Sequence, residues 1–157
     1  MDSDLINQAK KTIKETFFLN IASITETGKP WNTPVYFSFD NSYNFYWYSP
    51  FQSQHSANIR INAKVFLTIY TAAETGFGVY IEAEAIELNN EKEIVYAMSV
   101  FGRKIYSLPC KDSNDFLGNS PLRLYRATPI KTFVSSPKTA EKFRELWVDK
   151  RIEINLI

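Results

Sequence analysis

Hydrophobic residues along this chain recur first at four-residue spacing and then at two-residue spacing. Leu5, Ala9, Ile13 and Phe17 are separated by polar residues, which predicts an amphipathic helix over residues 4–16. Alternation of apolar and polar residues follows, and Gly, Pro, Asn and Asp residues divide it into runs that predict β-strands joined by hairpins. The predicted strands of the first half span residues 18–25, 32–40, 44–49, 64–71 and 78–88.

The second half of the chain mixes helix, loop and strand signals. Asn90, followed three residues later by Glu93, has the pattern of an N-cap with a capping box and predicts a helix over residues 91–104. Residues 107–120 are predicted to form a long loop. The remaining predicted elements are strands at 122–128 and 130–135 divided by Pro129, a last helix that begins at Ser136-Pro137, and a short strand at 151–157.

Six or seven short strands with few helices indicate a mainly β fold of the α+β type. Closing an antiparallel sheet into a barrel removes its exposed edges, so we expect a six- or seven-stranded antiparallel barrel with flanking helices. At 157 residues the chain has the size of one domain with one core. We therefore predict a single domain over residues 1–157.

The aromatic content is the unusual feature of the composition. Hydrophobic residues make up 45% and charged residues 22% of the chain, as in ordinary globular proteins. Aromatic residues reach 15%, with twelve Phe, nine Tyr and three Trp. Such a surplus suits a planar ligand or a subunit interface in addition to a core.

Charge and cysteine content exclude several classes of protein. The net charge of +1 is spread along the chain, which gives no support for a nucleic-acid or anionic-membrane partner. The single cysteine, Cys110, excludes an intrachain disulfide, and with a single histidine we expect no metal site. The acidic start is unlike a signal peptide, and no apolar run approaches the roughly 20 residues of a membrane span, so we expect a cytoplasmic protein.

Residues 53–58 place polar side chains at the predicted start of a helix, directly after an aromatic strand. Helix starts expose unpaired backbone N–H groups and favour anions. Ser53 and Ser56 could donate to phosphate oxygens, and a protonated His55 would add a charge-assisted bond. The alternative is structural: Ser53 acts as an N-cap only, and the histidine is part of the core.

A second candidate feature is the aromatic run over residues 43–48. Alternation directs Phe45 and Trp47 to one face of the strand and Tyr46 and Tyr48 to the other. One face is expected to join the core. The other could line a pocket for a flat ring, although a face exposed to solvent or to a second subunit would have the same sequence.

The order of these motifs resembles the pyridoxamine 5'-phosphate oxidase-like family of FMN-binding split barrels. The similarity covers most of the chain, and its motifs are individually loose but occur in the right order and spacing. In chain order the motifs are Glu26-Thr27-Gly28-Lys29-Pro30, Thr33-Pro34-Val35, Trp47-Tyr48-Ser49, Ser53-x-His55-x-x-Asn58-Ile59, Ala63-Lys64-Val65, the strand at 78–85 and Leu122-Arg123-Leu124-Tyr125-Arg126 with Pro129.

The resemblance implies a homodimer with FMN in a groove between the subunits. The phosphate would lie near residues 53–58 and the flavin ring along residues 33–36 and 46–49. Many relatives have a basic pair where this chain has Gln54 and His55. If His55 alone supplied the charge, phosphate affinity would fall as the pH rises past about 6.5. The cofactor-binding residues expected from the resemblance are Pro34, Val35, Tyr36, Trp47, Tyr48, Ser49, Ser53, Gln54, His55 and Asn58.

The leading hypothesis is therefore a flavin-dependent oxidoreductase that acts on an unidentified small molecule, with no catalytic residue assigned. Three alternatives stay open: a binding module that holds flavin or a related ligand without turnover, the same fold with a deazaflavin or haem, and a structural dimer without a ligand. Genuine pyridoxamine phosphate oxidation is not expected. That activity uses a basic substrate-phosphate cluster and an Arg-x-His pair near the C-terminus, and this chain has neither.

Overall fold

The structure, a computed structural model, describes residues 2–72, 76–101, 112–148 and 150–157. Three α-helices and nine strands lie in this part of the chain. The helices are α1 (Asp2–Glu15), α2 (Gln54–Ile61) and α3 (Glu91–Phe101). The strands are β1 (Phe18–Ile24), β2 (Pro30–Phe39), β3 (Phe45–Pro50), β4 (Lys64–Ile69), β5 (Gly78–Glu87), β6 (Leu122–Ser135), β7 (Glu141–Phe143), β8 (Leu146–Val148) and β9 (Ile152–Ile154).

Six strands close into an antiparallel barrel. Their order is β3-β2-β1-β4-β5-β6, and β6 pairs back onto β3, with Phe45 opposite Ala127 and Pro50 opposite Leu122. The β9 strand adds to β6 beyond the closed ring. Closure leaves the six ring strands without free edges. The predicted mainly β split barrel with flanking helices is thereby confirmed.

Alternation along the strands fills the barrel with apolar side chains. The inward residues include Ile21, Phe37, Leu67 and Ile81, which are fully buried, and α1 contributes its predicted apolar stripe to the same cluster. A second cluster lies outside the barrel, where α3 and the segment around Phe116 cover the outer face of β3. Strand β3 is therefore buried on both faces.

Strand β6 is continuous, so the predicted break at Pro129 is wrong. The pairing of β5 with β6 shifts at this point: Ala83 pairs with Pro129, while Glu82 pairs with Lys131. Ile130 is the extra residue of a β-bulge and is exposed. A bulge accommodates proline, which has no N–H to donate to the ladder, without ending the strand.

The predicted last helix after Ser136 is also wrong. A single 3-10 turn, Pro137–Thr139, is followed by the two-stranded β7–β8 hairpin. The Thr139 hydroxyl lies 2.8 Å from the carbonyl of Ser136 and 2.6 Å from that of Lys150, so it fixes the turn against the returning chain. The short C-terminal strand is confirmed as β9.

Helix α3 begins as predicted but without the full capping box. The backbone N–H of Lys92 donates to Asn90 Oδ1 at 2.9 Å, whereas the Glu93 carboxylate pairs with Arg126 Nη1 at 2.9 Å. Residues 102–104 of the predicted helix, and residues 107–111 of the predicted loop with Cys110, lie outside the described residues. No helix in the described ranges is long and apolar enough to cross a membrane.

Candidate functional site

The start of α2 is held against the end of β3 and the start of β6. The backbone N–H of Phe51 donates to the carbonyl of Pro121 at 2.8 Å, and the N–H of Ser53 donates to that of Pro50 at 3.0 Å. These bonds form a tight turn after β3. Ser53 is the N-cap residue, with the extended backbone (φ −65°, ψ 150°) that this position requires.

Side chains of this turn and of β3 form a buried polar cluster. His55 Nε2 lies 2.7 Å from Ser49 Oγ and 3.3 Å from Ser53 Oγ. The Ser53 hydroxyl donates to Ser56 Oγ at 2.8 Å. Ser49, His55 and Ser56 are all buried. The structure thus brings together Ser49, Ser53 and His55, which sequence reasoning grouped, but their polar atoms point at one another.

The cluster continues through the barrel wall to an ion pair. Ser56 hydrogen-bonds to the phenol of Tyr125, and the phenol donates to Glu87 Oε2 at 3.0 Å. Burial raises the pKa of Tyr125 to about 12; the hydrogen bond from Ser56 opposes this shift, and the charge of Glu87 adds to it. Glu87 also pairs with Arg60 Nη1 at 3.1 Å and Arg123 Nε at 3.2 Å.

The directions of these bonds decide which donors remain available. A carboxylate only accepts, so the Tyr125 proton goes to Glu87 and the Ser56 proton goes to Tyr125. The Ser53 proton goes to Ser56. Neither serine therefore has a free hydrogen for a phosphate oxygen. Because the Ser53 hydroxyl is turned into the cluster, it does not cap the first turn of α2, and the backbone N–H groups of that turn stay available to a ligand.

His55 does not provide positive charge. Burial lowers the pKa of the imidazole below its usual value of about 6.5, because removal from water disfavours the charged form. The ring is therefore neutral at pH 7. The expected charge-assisted bond from a protonated His55 is therefore not supported. The expected decrease of phosphate affinity above pH 6.5 depended on that bond and is not supported either.

Asn58 and Gln54 connect α2 internally and to the barrel. Asn58 Nδ2 donates to Ser23 Oγ on β1 at 2.9 Å, and Gln54 Nε2 donates to Asn58 Oδ1 at 2.8 Å. Asn58 is almost completely buried, whereas Gln54 is exposed. Asn58 therefore fixes the position of the helix, and Gln54 is the member of this pair that a ligand can reach.

The expected ring-binding residues divide between the core and the surface. Trp47 is fully buried in the barrel and stacks on Tyr125, with ring centroids 5.5 Å apart. Its Nε1 has no hydrogen-bond partner within the described residues. Val35 also points into the core. The side chains of Trp47 and Val35 therefore do not reach a surface ligand, because alternation directs them inward.

Pro34, Tyr36 and Tyr48 keep part of their surface accessible. Tyr36 packs edge-on against Phe18 at 6.0 Å between ring centroids, and Tyr48 packs against Phe101 at 6.0 Å. On the neighbouring outer face of β1 the side chains of Phe18 and Ile24 are exposed. The exposed Trp31 pairs with the buried Ser23 and therefore lies on the other face of the sheet.

An open pocket of about 500 Å³ adjoins the turn before α2. Two guanidinium groups lie over the ring of Phe51, those of Arg60 at 4.1 Å and Arg123 at 5.0 Å from the ring centroid, and Arg123 also lines the pocket. Sequence reasoning did not place these arginines or Glu87 in the site, because they lie on α2, β6 and β5 and only the fold brings them together. The pocket is lined by Pro50, Phe51, Gln52, Gly118, Asn119, Ser120, Pro121 and Arg123.

The closed six-stranded barrel and the helices that flank it define a split-barrel protein. A family model described as pyridoxamine 5'-phosphate oxidase matches residues 5–136. The chain belongs to the pyridoxamine 5'-phosphate oxidase family. No curated protein sequence matches it. Across the described ranges, no group of three or more His, Cys, Asp or Glu side chains is placed to hold a metal ion.

Solved structures share the fold at low sequence identity. A protein from Clostridium acetobutylicum related to general stress protein 26 has a TM-score of 0.66 at 10% identity, covering 98% of this chain and 97% of its own. HutZ, the heme storage protein from Vibrio cholerae, has a TM-score of 0.66 at 16% identity, covering 83% and 94%. A FAD-binding protein from Mesorhizobium loti has a TM-score of 0.59 at 15% identity, covering 80% and 90%.

Proposed function

We propose that this protein binds FMN at the start of α2 and acts as a flavin-dependent oxidoreductase on a small molecule. The observation that carries the proposal is the uncapped first turn of α2. The residue placed to cap it, Ser53, has its hydroxyl turned into the buried cluster instead. Free N–H groups and the positive end of the helix dipole favour a phosphate there.

The flavin ring would lie against the accessible side chains of Pro34, Tyr36 and Tyr48, which suit a flat apolar surface. The bound flavin would supply the redox chemistry, while the protein orients it and limits its access to water. His55 has a structural part in this proposal. It fixes Ser49 and Ser53 and thereby keeps the first turn of the helix open.

A homodimer is part of the proposal. Phe18, which packs against Tyr36 beside the proposed ring position, is 60% exposed, and Ile24 on the same face of β1 is also exposed. A two-fold interface would cover these side chains on both subunits at once. A cytoplasmic location stays a prediction from the cysteine content.

Other cofactors are less well supported by the site. Haem would need an axial ligand, and the only histidine, His55, is buried with its Nε2 engaged by Ser49. A deazaflavin would use the same ring surface. A binding module without turnover predicts a bound flavin that no physiological donor, such as NADH or NADPH, reduces.

A matched pair of substitutions tests the site. Proline is tolerated at the first helical position, and the extended backbone of Ser53 suits a residue before proline, so Gln54→Pro removes one N–H of the first turn and preserves the helix. Gln54→Ala removes the same side-chain contact with Asn58 but keeps the N–H. We expect Gln54→Pro to weaken FMN binding about tenfold relative to Gln54→Ala, with riboflavin binding equal in both. Equal FMN affinities would contradict the proposal.

A further inference from the structure

The first turn of α2 lacks the charge that a phosphate dianion requires. Gln54 is neutral, His55 is uncharged at pH 7, and no lysine or arginine occurs in this turn. Backbone N–H groups provide dipoles but no full charge. Cationic side chains that serve a phosphate here must therefore come from elsewhere in the fold.

Two arginines meet beside the turn that precedes α2. The guanidinium groups of Arg60 and Arg123 both lie over the ring of Phe51, and both pair with the one carboxylate of Glu87. Two positive charges and one negative charge leave an excess of one positive charge at this place. Among the residues that the structure describes, the pocket beside Phe51 is lined by Arg123 and by no carboxylate.

The two arginines have different parts. Arg123 is nearly buried, and its guanidinium donates to the carbonyls of Gly118, Ser120 and Leu122, so it builds the wall of the pocket. The Arg60 side chain is 32% exposed. It uses one guanidinium nitrogen on Glu87 and the other on the Phe51 carbonyl at 3.0 Å, and these are its hydrogen-bond partners within the described ranges. Arg60 therefore has N–H groups to spare for a ligand.

We propose that Arg60, supported by Arg123, supplies the positive charge for a ligand phosphate at the turn between β3 and α2. This inference rests on the proposed function and identifies the charged partner at that same site. The Phe51 ring orients the Arg60 guanidinium by stacking, and the Phe51 carbonyl holds it near the start of α2. The ligand class is a phosphate monoester, such as the phosphate end of FMN.

The test compares two arginine variants. Arg60→Gln removes the proposed charge, and Arg126→Gln removes a similarly exposed arginine that pairs with Glu93 on α3. Affinities for FMN and riboflavin are measured by flavin fluorescence at low and high salt. We expect Arg60→Gln to weaken FMN binding about tenfold, to leave riboflavin binding unchanged, and to flatten the salt dependence of FMN binding. Arg60→Lys should restore part of the loss, and Arg126→Gln should bind both as the wild type does.

Each other outcome has a definite meaning. If wild type and Arg60→Gln bind FMN equally, or if Arg60→Gln weakens FMN and riboflavin alike, the assignment of Arg60 is wrong while flavin binding stands. If the wild type binds neither flavin, the proposed function fails and this inference fails with it. Equal losses in Arg60→Gln and Arg126→Gln would show an effect of net charge alone and would also overturn the assignment.

Discussion

Replacing Tyr125 with phenylalanine tests the buried polar cluster most directly. The phenol is fully buried, accepts from Ser56 and donates to Glu87 Oε2 at 3.0 Å. Phenylalanine keeps the ring and its stacking on Trp47, so the substitution removes the two hydrogen bonds and little else. The effect on stability therefore measures the hydrogen bonds.

The expected cost follows from the two bonds. A hydrogen bond to a charged group contributes about 1.5–3 kcal/mol, and leaving a buried hydroxyl such as that of Ser56 without an acceptor costs about 1–3 kcal/mol. We expect a loss of about 3 kcal/mol in the free energy of unfolding. For a chain of this length that corresponds to a fall in Tm of roughly 6–12 °C.

Urea and thermal unfolding, followed by far-UV circular dichroism, measure the loss. Tyr70→Phe is the matched control, because Tyr70 is 58% exposed and its hydroxyl reaches water. The control should stay within about 0.5 kcal/mol of the wild type. A double-mutant cycle with Glu87→Gln should give a coupling energy of about 1 kcal/mol or more. If Tyr125→Phe is no less stable than Tyr70→Phe, the cluster does not contribute as described.

Three further predictions concern acid stability and fluorescence. Because burial lowers the pKa of His55, the unfolded state binds a proton at this histidine more readily than the folded state does. The contribution of His55 to the free energy of unfolding is therefore constant above about pH 6.5 and falls below it. The urea midpoints at pH 5 and pH 7.5 should differ less in His55→Gln than in the wild type. Burial alone would raise the pKa of Asp40, but hydrogen bonds led by Asn44 lower it below 3.8, so its stabilisation exists above that value and is lost in acid. Asp40→Asn should lower the free energy of unfolding by about 2 kcal/mol at pH 7, as measured by urea unfolding. A loss that is smaller at pH 7 than at pH 3 would refute this. Iodide should quench the two exposed tryptophans and spare Trp47, which a variant with Trp47 alone would show.

The barrel and the place of α2 could be predicted because each depends on local periodicity. Period-two alternation gave the strands, and the polar run after Pro50 gave a helix start within one residue of the observed one. The last helix was mispredicted because Ser136-Pro137 satisfies the same local rule in a single 3-10 turn as in a helix. The structure instead holds the turn by a contact between Thr139 and the carbonyl of Lys150, eleven residues later, which no local rule can register.

The chemistry of the site could be predicted only in part. Sequence reasoning grouped Ser49, Ser53 and His55 but could not give the directions of their hydrogen bonds, because these depend on Tyr125 and Glu87, which lie on β6 and β5. The same limit applies to charge. A histidine in a polar run indicates a cation from its chemistry alone, and only burial within the folded barrel makes it neutral.

The most direct test of flavin binding is an absorbance and fluorescence titration of the purified protein with FMN, with riboflavin in parallel, followed by addition of NADPH or NADH under anaerobic conditions. We expect a saturable isotherm for FMN, weaker binding of riboflavin because it lacks the phosphate, and bleaching of the flavin bands by one of the donors. Saturable binding without reduction would leave a flavin-binding module in place of an enzyme. No binding of FMN, or equal affinity for FMN and riboflavin, would contradict the phosphate site at the start of α2.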